Sequence, residues 1–189
     1  MKRRYFIPLI TFLILLFVLV LVKHFAEEID TCTLVASAPV EQTSDEVVID
    51  GEVANPILSG EELINNHIQE ICEIYNIEPA LVQSIIYHES RYNADARNNN
   101  CVGLMQINKP YHIYRAEKLG IVDFYDPHSN ILLGVDYLSE LFNIYGDPVL
   151  VLMVYNMGDS RAITLYKQGI INEYARKVLA REKEIKQTF

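Results

Sequence analysis

No lysine or arginine occurs between residues 24 and 90, although that stretch carries fourteen aspartates and glutamates. Such a surface repels phosphate backbones, and nucleic acid is excluded as a partner. Beyond residue 90 the two signs nearly balance, so the formal net charge of -9 is set by the first half of the chain. Cysteine is scarce: Cys32, Cys72 and Cys101 are an odd number whose spacing fits no metal motif. No metal and no cofactor is expected. Cys72 and Cys101 could pair in an oxidising compartment. The simpler reading, adopted here, is two small buried side chains. Internal repeats are missing, and no segment of the folded part alternates convincingly as a strand. A chain of 189 residues has room for one compact domain with extensions, not for two full domains.

Long apolar runs are missing too, with one exception. Lys2, Arg3 and Arg4 precede residues 5–22, which are apolar apart from Pro8 and Thr11. Eighteen residues at about 1.5 Å each span about 27 Å, enough for the hydrocarbon core of a bilayer. The basic cluster predicts a cytoplasmic N-terminus. A cleaved signal peptide starts in the same way, but Lys23-His24-Phe25-Ala26-Glu27-Glu28 is a poor cleavage site, and Ala36-Ser37-Ala38 lies well past the run. Ile29-Asp30-Thr31 before Cys32 is unsuited to lipid attachment. Residues 1–24 are therefore read as a cytoplasmic tip and an uncleaved, single-pass transmembrane signal-anchor. Residues 25–58 have no sustained period and read as a flexible acidic stalk, with a short strand conceivable at Val47-Val48-Ile49. The rest of the chain is placed outside the cytoplasm.

From residue 59 the pattern is helical. Ser59 and Glu62 form a capping-box signature, followed by Leu63, Ile64, Ile68, Ile71 and Ile74 at helical spacing. Pro79 opens a second helix ending near Ser90, and residues 91–102 read as an Asn-rich loop. A short helix spans 110–119 and stops at Gly120. Asp126-Pro127 and Asp147-Pro148 each cap and open a further helix, the first of which ends at Gly146. Segments 159–167 and 172–186 complete an all-α domain of six or seven helices.

Three places offer chemistry. Glu89 ends an apolar helix, where the negative end of the helix dipole and apolar neighbours both disfavour a carboxylate and raise its pKa. A general acid at neutral pH needs such a shift. The ordinary alternative is an exposed Glu in a last turn. Gly103-Leu104-Met105-Gln106-Ile107 offers a glycine that admits close backbone approach and an amide suited to sugar hydroxyls. It could equally be a turn into a buried segment. Tyr155-Asn156-Met157-Gly158 could line a cleft or simply cap a helix.

Taken in order, these segments, with Tyr92-Asn93-Ala94-Asp95-Ala96, Asn130-Ile131, Gly134-Val135 and Tyr174, resemble the catalytic domain of soluble-lytic-transglycosylase-type lytic transglycosylases, within the goose-type lysozyme superfamily. The likeness runs over roughly residues 57–180. It departs at Asn98-Asn99-Asn100, Val154 and Met157, where the family often carries other residues. The resemblance implies a lysozyme-like helical fold, with residues 59–189 as the catalytic domain and peptidoglycan glycan strands as substrate. It implies a single acid/base, Glu89, that cleaves the MurNAc–GlcNAc β-1,4 bond with 1,6-anhydro-MurNAc formation. Tyr155 would be a second catalytic residue. Ser90, Gly103, Met105, Gln106, Asn156 and Tyr174 would bind substrate. Two alternatives stay open: a hydrolytic muramidase on the same fold, with Asp95 as second acid, and a cell-wall-binding component of an envelope-spanning machine.

Overall fold

The computed structural model describes residues 59–188. The expected signal-anchor, the acidic stalk and the short strand at Val47-Val48-Ile49 lie outside the described residues. Among the described residues, no helix is long and apolar enough to cross a membrane.

Seven helices make up the described domain: α1 (Gly60–Tyr75), α2 (Pro79–Glu89), α3 (Lys109–Leu119), α4 (Pro127–Tyr145), α5 (Pro148–Met157), α6 (Asp159–Lys167) and α7 (Glu173–Thr188). Their starts follow local chemistry. Ser59 N–H donates to the Glu62 carboxylate at 2.7 Å, and Glu62 N–H donates to Ser59 Oγ at 3.3 Å, which closes the capping box. Asp126 accepts from Ser129 N–H at 2.9 Å, and Asp147 from Leu150 N–H at 3.0 Å. Each of these caps precedes a proline at the first helical position, where the missing N–H costs nothing.

The core is built by α1, α2, α4 and α5 around Ile68, Ile85, Ile86, Leu133, Leu138, Leu152 and Met153, all fully buried. Each such side chain contributes roughly 1.5–3 kcal/mol by leaving water. Helix α7 lies along α2 and also touches α5. Helical spacing overstates the first apolar face: Ile64, Ile68 and Ile71 are buried, but Leu63 and Ile74 are exposed. They occupy the edges of the stripe.

Two readings are corrected. The Asn-rich segment is not plain loop. Arg97–Asn98 (β1), Cys101–Val102 (β2) and Ile107–Asn108 (β3) form a three-stranded antiparallel sheet with Arg97 opposite Val102 and Val102 opposite Ile107. Two-residue strands are too short to show alternation. Their turn signal was the Asn99-Asn100 pair, with Asn99 in the left-handed region at φ 51°. The cysteines are the second correction. Cys72 is a free, buried thiol with its pKa pushed up to about 12, chiefly by burial and then by the Glu78 charge. Cys101, also buried, is disulfide-bonded, and its partner is not Cys72.

Candidate active site

Glu89 is the last residue of α2, and the chain turns away sharply after it. Ser90 N–H and Arg91 N–H close the helix on the carbonyls of Ile86 and Tyr87, at 3.0 and 3.3 Å. Arg91 and Tyr92 then both adopt left-handed backbone, at φ 54° and 64°. For residues with a Cβ this costs about 1–2 kcal/mol each, so the break is held by surrounding contacts. Arg91 stacks over the Tyr87 ring at 4.4 Å, and Arg181 of α7 stacks on the same ring at 3.3 Å.

The break leaves the Glu89 carboxyl in an apolar setting with only part of the residue reached by solvent. Burial raises its pKa from 4.5 to about 8, against a smaller lowering by the Tyr174 hydroxyl. That hydroxyl is buried and faces Glu89, but it meets no full hydrogen-bond geometry with any described group. We read it as a donor held near the carboxyl rather than bonded to it. No second carboxylate contributes to the shift of Glu89. Asp95 is exposed, on the loop after the break.

Tyr155, near the end of α5, lies close to both Glu89 and Tyr174. Its phenol pKa is raised by burial, then by the charges of Glu89 and Tyr137, so it stays neutral. Its hydroxyl donates to the Met105 carbonyl at 2.8 Å. Tyr137 packs on its ring with centroids 5.6 Å apart.

The loop between β2 and β3 forms a wall beside Tyr155, and Asn130 of α4 holds it. Asn130 is fully buried and uses its whole amide. Its Oδ1 accepts from Met105 N–H at 2.8 Å, and its Nδ2 donates to the carbonyls of Phe124 at 2.7 Å and Val102 at 3.1 Å. This explains Gly103. At φ +75°, a Cβ there would lie 2.2 Å from Asn130 Nδ2. The close approach that requires glycine is thus by Asn130. Met105 has no exposed side chain: it fills the space over Gly134, where a Cβ would sit 2.3 Å from its sulfur. Gln106, left-handed at φ 47°, donates both amide hydrogens inward, to Ala96 O at 3.1 Å and Gly103 O at 3.0 Å.

The structure therefore brings Glu89, Tyr155 and Tyr174 together and sets the loop 103–106 beside them through Tyr155. Ser90 is buried and its hydroxyl donates back to Ile86 O at 3.2 Å. Asn156 Oδ1 accepts from Asn172 Nδ2 at 3.0 Å, and Asn172 in turn accepts from Ala175 N–H at the start of α7. Asn130, Gly134 and Tyr137 were not picked out as site residues from sequence. The available signal was a polar residue, Asn130, on the otherwise apolar stripe of α4.

Comparison with known proteins shows the family. The family model described as "Transglycosylase SLT domain" matches residues 66–173. "Invasion protein IagB" of Salmonella typhi is 30% identical over 123 residues, covering 61% of this chain and 74% of that protein. "Membrane-bound lytic murein transglycosylase E" of Buchnera aphidicola is 36% identical over 135 residues, covering 60% of this chain and 61% of that one. The solved structure of an inactive mutant of the lytic transglycosylase Slt from Pseudomonas aeruginosa shares the fold, with a TM-score of 0.55 and 22% identity. That match covers 62% of this chain and only 23% of the other. The family model matches more than half of the chain: the chain belongs to the transglycosylase SLT domain family and, at the level of that family, is a peptidoglycan lytic transglycosylase.

Proposed function

We propose that the chain cuts the β-1,4 bond between N-acetylmuramic acid and N-acetylglucosamine and leaves a 1,6-anhydro end, with Glu89 as both acid and base. One observation carries the reading: Glu89 is a desolvated carboxyl whose shift owes nothing to a second carboxylate. With a pKa of about 8 it holds its proton at neutrality, as a general acid must. It protonates the glycosidic oxygen as the C1–O bond breaks. The substrate's own 2-acetamido oxygen stabilises the positive charge developing at C1. Glu89, now ionised, takes the proton of the C6 hydroxyl as that oxygen bonds to C1. Glu89 ends protonated, and no water is consumed. A hydrolytic route needs a carboxylate to activate water. The sequence candidate for that role, Asp95, is solvent-exposed and exerts no resolved influence on Glu89.

Tyr155 acts in this scheme by fixing the Met105 backbone, and Tyr174 by holding a hydroxyl near the acid. Gly103, Met105 and Gln106 supply the wall rather than free side-chain donors, and Ser90 supports the break. Residues 59–189 form the catalytic domain. Residues 1–24 anchor it in the cell membrane and residues 25–58 space it away, which places the chemistry on the wall side. The apolar run and its basic flank support the anchor, and a relative carries "membrane-bound" in its name. The test is digestion of purified peptidoglycan by the full chain, followed by mass analysis of the sugar ends. Anhydro ends that vanish with Glu89→Gln are expected. Reducing ends would replace this reading with hydrolysis.

A further inference from the structure

Away from Glu89, the packing of α1 on α4 brings together three side chains that the chemistry above does not use. His67 and Glu70 stand three residues apart on α1, one turn along the same face. His128 is in the first turn of α4. One donor atom from each of the three lies within 4.8 Å of the other two. The two imidazoles meet edge to face with centroids 5.1 Å apart. Both are half-buried, and Glu70 is exposed. The Asp126 carboxylate, two residues before His128, caps the same helix by accepting from Ser129 N–H at 2.9 Å. Two imidazoles packed in contact at a helix–helix seam, with one carboxylate as a third arm and another alongside, gain little from each other as bases. They suit a shared cation.

We propose that His67, Glu70 and His128 bind one divalent transition-metal ion of the zinc class and so clasp α1 to the start of α4. Imidazole nitrogens and a carboxylate are zinc ligands at about 2.0–2.2 Å, and three protein ligands leave a position for water. In such a tetrahedron the ligand atoms lie about 3.3 Å apart, so the present spread of up to 4.8 Å closes by at most about 1.5 Å through side-chain rotation. The half-buried rings limit competing water, while the exposed Glu70 gives the ion an entry path. Magnesium and calcium, which demand oxygen ligands, are disfavoured by the two nitrogens. His128 lies two residues before Asn130, which holds the loop beside the acid. An ion here fixes the N-terminal turn of α4 from the side opposite that loop.

The experiment uses the full chain in detergent, stripped with a chelator and titrated at neutral pH with Co2+, read by its visible absorption, then displaced with Zn2+. One ion per chain with micromolar or tighter affinity is expected. Saturating Zn2+ should raise Tm by roughly 5–10 °C at a hundredfold excess over Kd. His67→Ala and His128→Ala should each abolish the cobalt spectrum. Glu70→Gln changes an exposed side chain and keeps the fold, and it should weaken binding about tenfold or more. The proposal is overturned if the wild-type chain shows no saturable one-to-one binding. It is equally overturned if Glu70→Gln, or a folded histidine variant, binds as tightly as wild type. None of these readouts depends on glycan cleavage, so the proposal stands or falls apart from the reaction.

Discussion

Replacing Glu89 with Gln should stabilise the domain at alkaline pH while it removes the acid. The folded carboxyl has a pKa of about 8 against an ordinary 4.5. The folded chain therefore binds this proton more tightly than the unfolded chain. The stability it contributes is complete below pH 4.5 and is lost as the pH rises through 8. At about 1.4 kcal/mol per pH unit, the full interval corresponds to about 5 kcal/mol above pH 8. The residue is partly open to solvent, and water in the cleft screens part of that cost, which leaves about 2–3 kcal/mol. Gln has the same shape and carries no charge at any pH. For a domain of this size the difference amounts to a Tm gain of roughly 5–15 °C at about pH 9, shrinking towards zero at about pH 4. The assay is thermal unfolding of both full chains followed by circular dichroism across that range. Other titrating groups are common to both proteins and cancel in the difference. An equal gain at both pH extremes, or a variant less stable than wild type at about pH 9, would refute desolvation as the origin of the shift.

Four further outcomes follow from the same geometry. With a soluble glycan fragment, kcat/KM should hold through neutrality and fall as pH rises through about 8, because the protonated acid is the active form; a profile falling instead through pH 4–5 would mean an unshifted carboxyl. Tyr155→Phe strands the Met105 carbonyl that its hydroxyl satisfies; it should cost about 1–3 kcal/mol in urea unfolding together with about tenfold or more in kcat, and unchanged values in both would return Tyr155 to plain packing. Tyr174→Phe removes a hydroxyl that lowers the Glu89 pKa, so the alkaline limb of the rate profile should move to higher pH, whereas a fixed limb would show that the hydroxyl does not sense the acid. Asn130→Ala leaves Met105 N–H, Val102 O and Phe124 O without their partner; a loss of about 3 kcal/mol or more in urea unfolding is expected, and a loss under 1 kcal/mol would mean that water or a loop shift replaces the amide.

Helix starts were legible because they are local. The Ser59 capping box and the Asp-Pro pairs at 126 and 147 act over three or four residues, and each helix begins where its cap predicts. The raised pKa of Glu89 was legible as well, since an apolar helix ending in a carboxyl is a one-dimensional pattern. What escaped depends on contacts far apart in the chain. The sheet 97–108 rests on pairings two residues long, too short to carry a period. Exposure of Ile74 depends on which side of α1 the rest of the domain covers, which helical spacing does not encode. Asn130 looks like an interruption of an apolar stripe until the loop it holds, some 25 residues earlier, is placed beside it.

The same nonlocality changes the roles of the polar residues around the acid. The family resemblance gave Ser90 and Gln106 to the substrate and made Tyr155 a second catalytic residue. Each hydroxyl has a single proton to donate, and those of Ser90 and Tyr155 are committed to Ile86 O and Met105 O. The Gln106 amide has two, committed to Ala96 O and Gly103 O. These groups hold the wall in place; in this arrangement they have no proton left to offer a sugar. The Tyr174 hydroxyl is different: it is buried, faces Glu89, and meets no full hydrogen-bond geometry among the described residues. A substrate oxygen entering between Glu89 and Tyr174 would thus find one acidic proton and one phenolic proton. The rest of the cleft contributes a rigid, preorganised shape. Rigidity at that wall is assembled from a glycine that admits Asn130 and a second glycine that admits Met105, with the Tyr155 bond joining wall to helix. On the proposed mechanism the chemistry rests on few groups, and the polar residues that mark the motif serve mainly to keep those groups where they are.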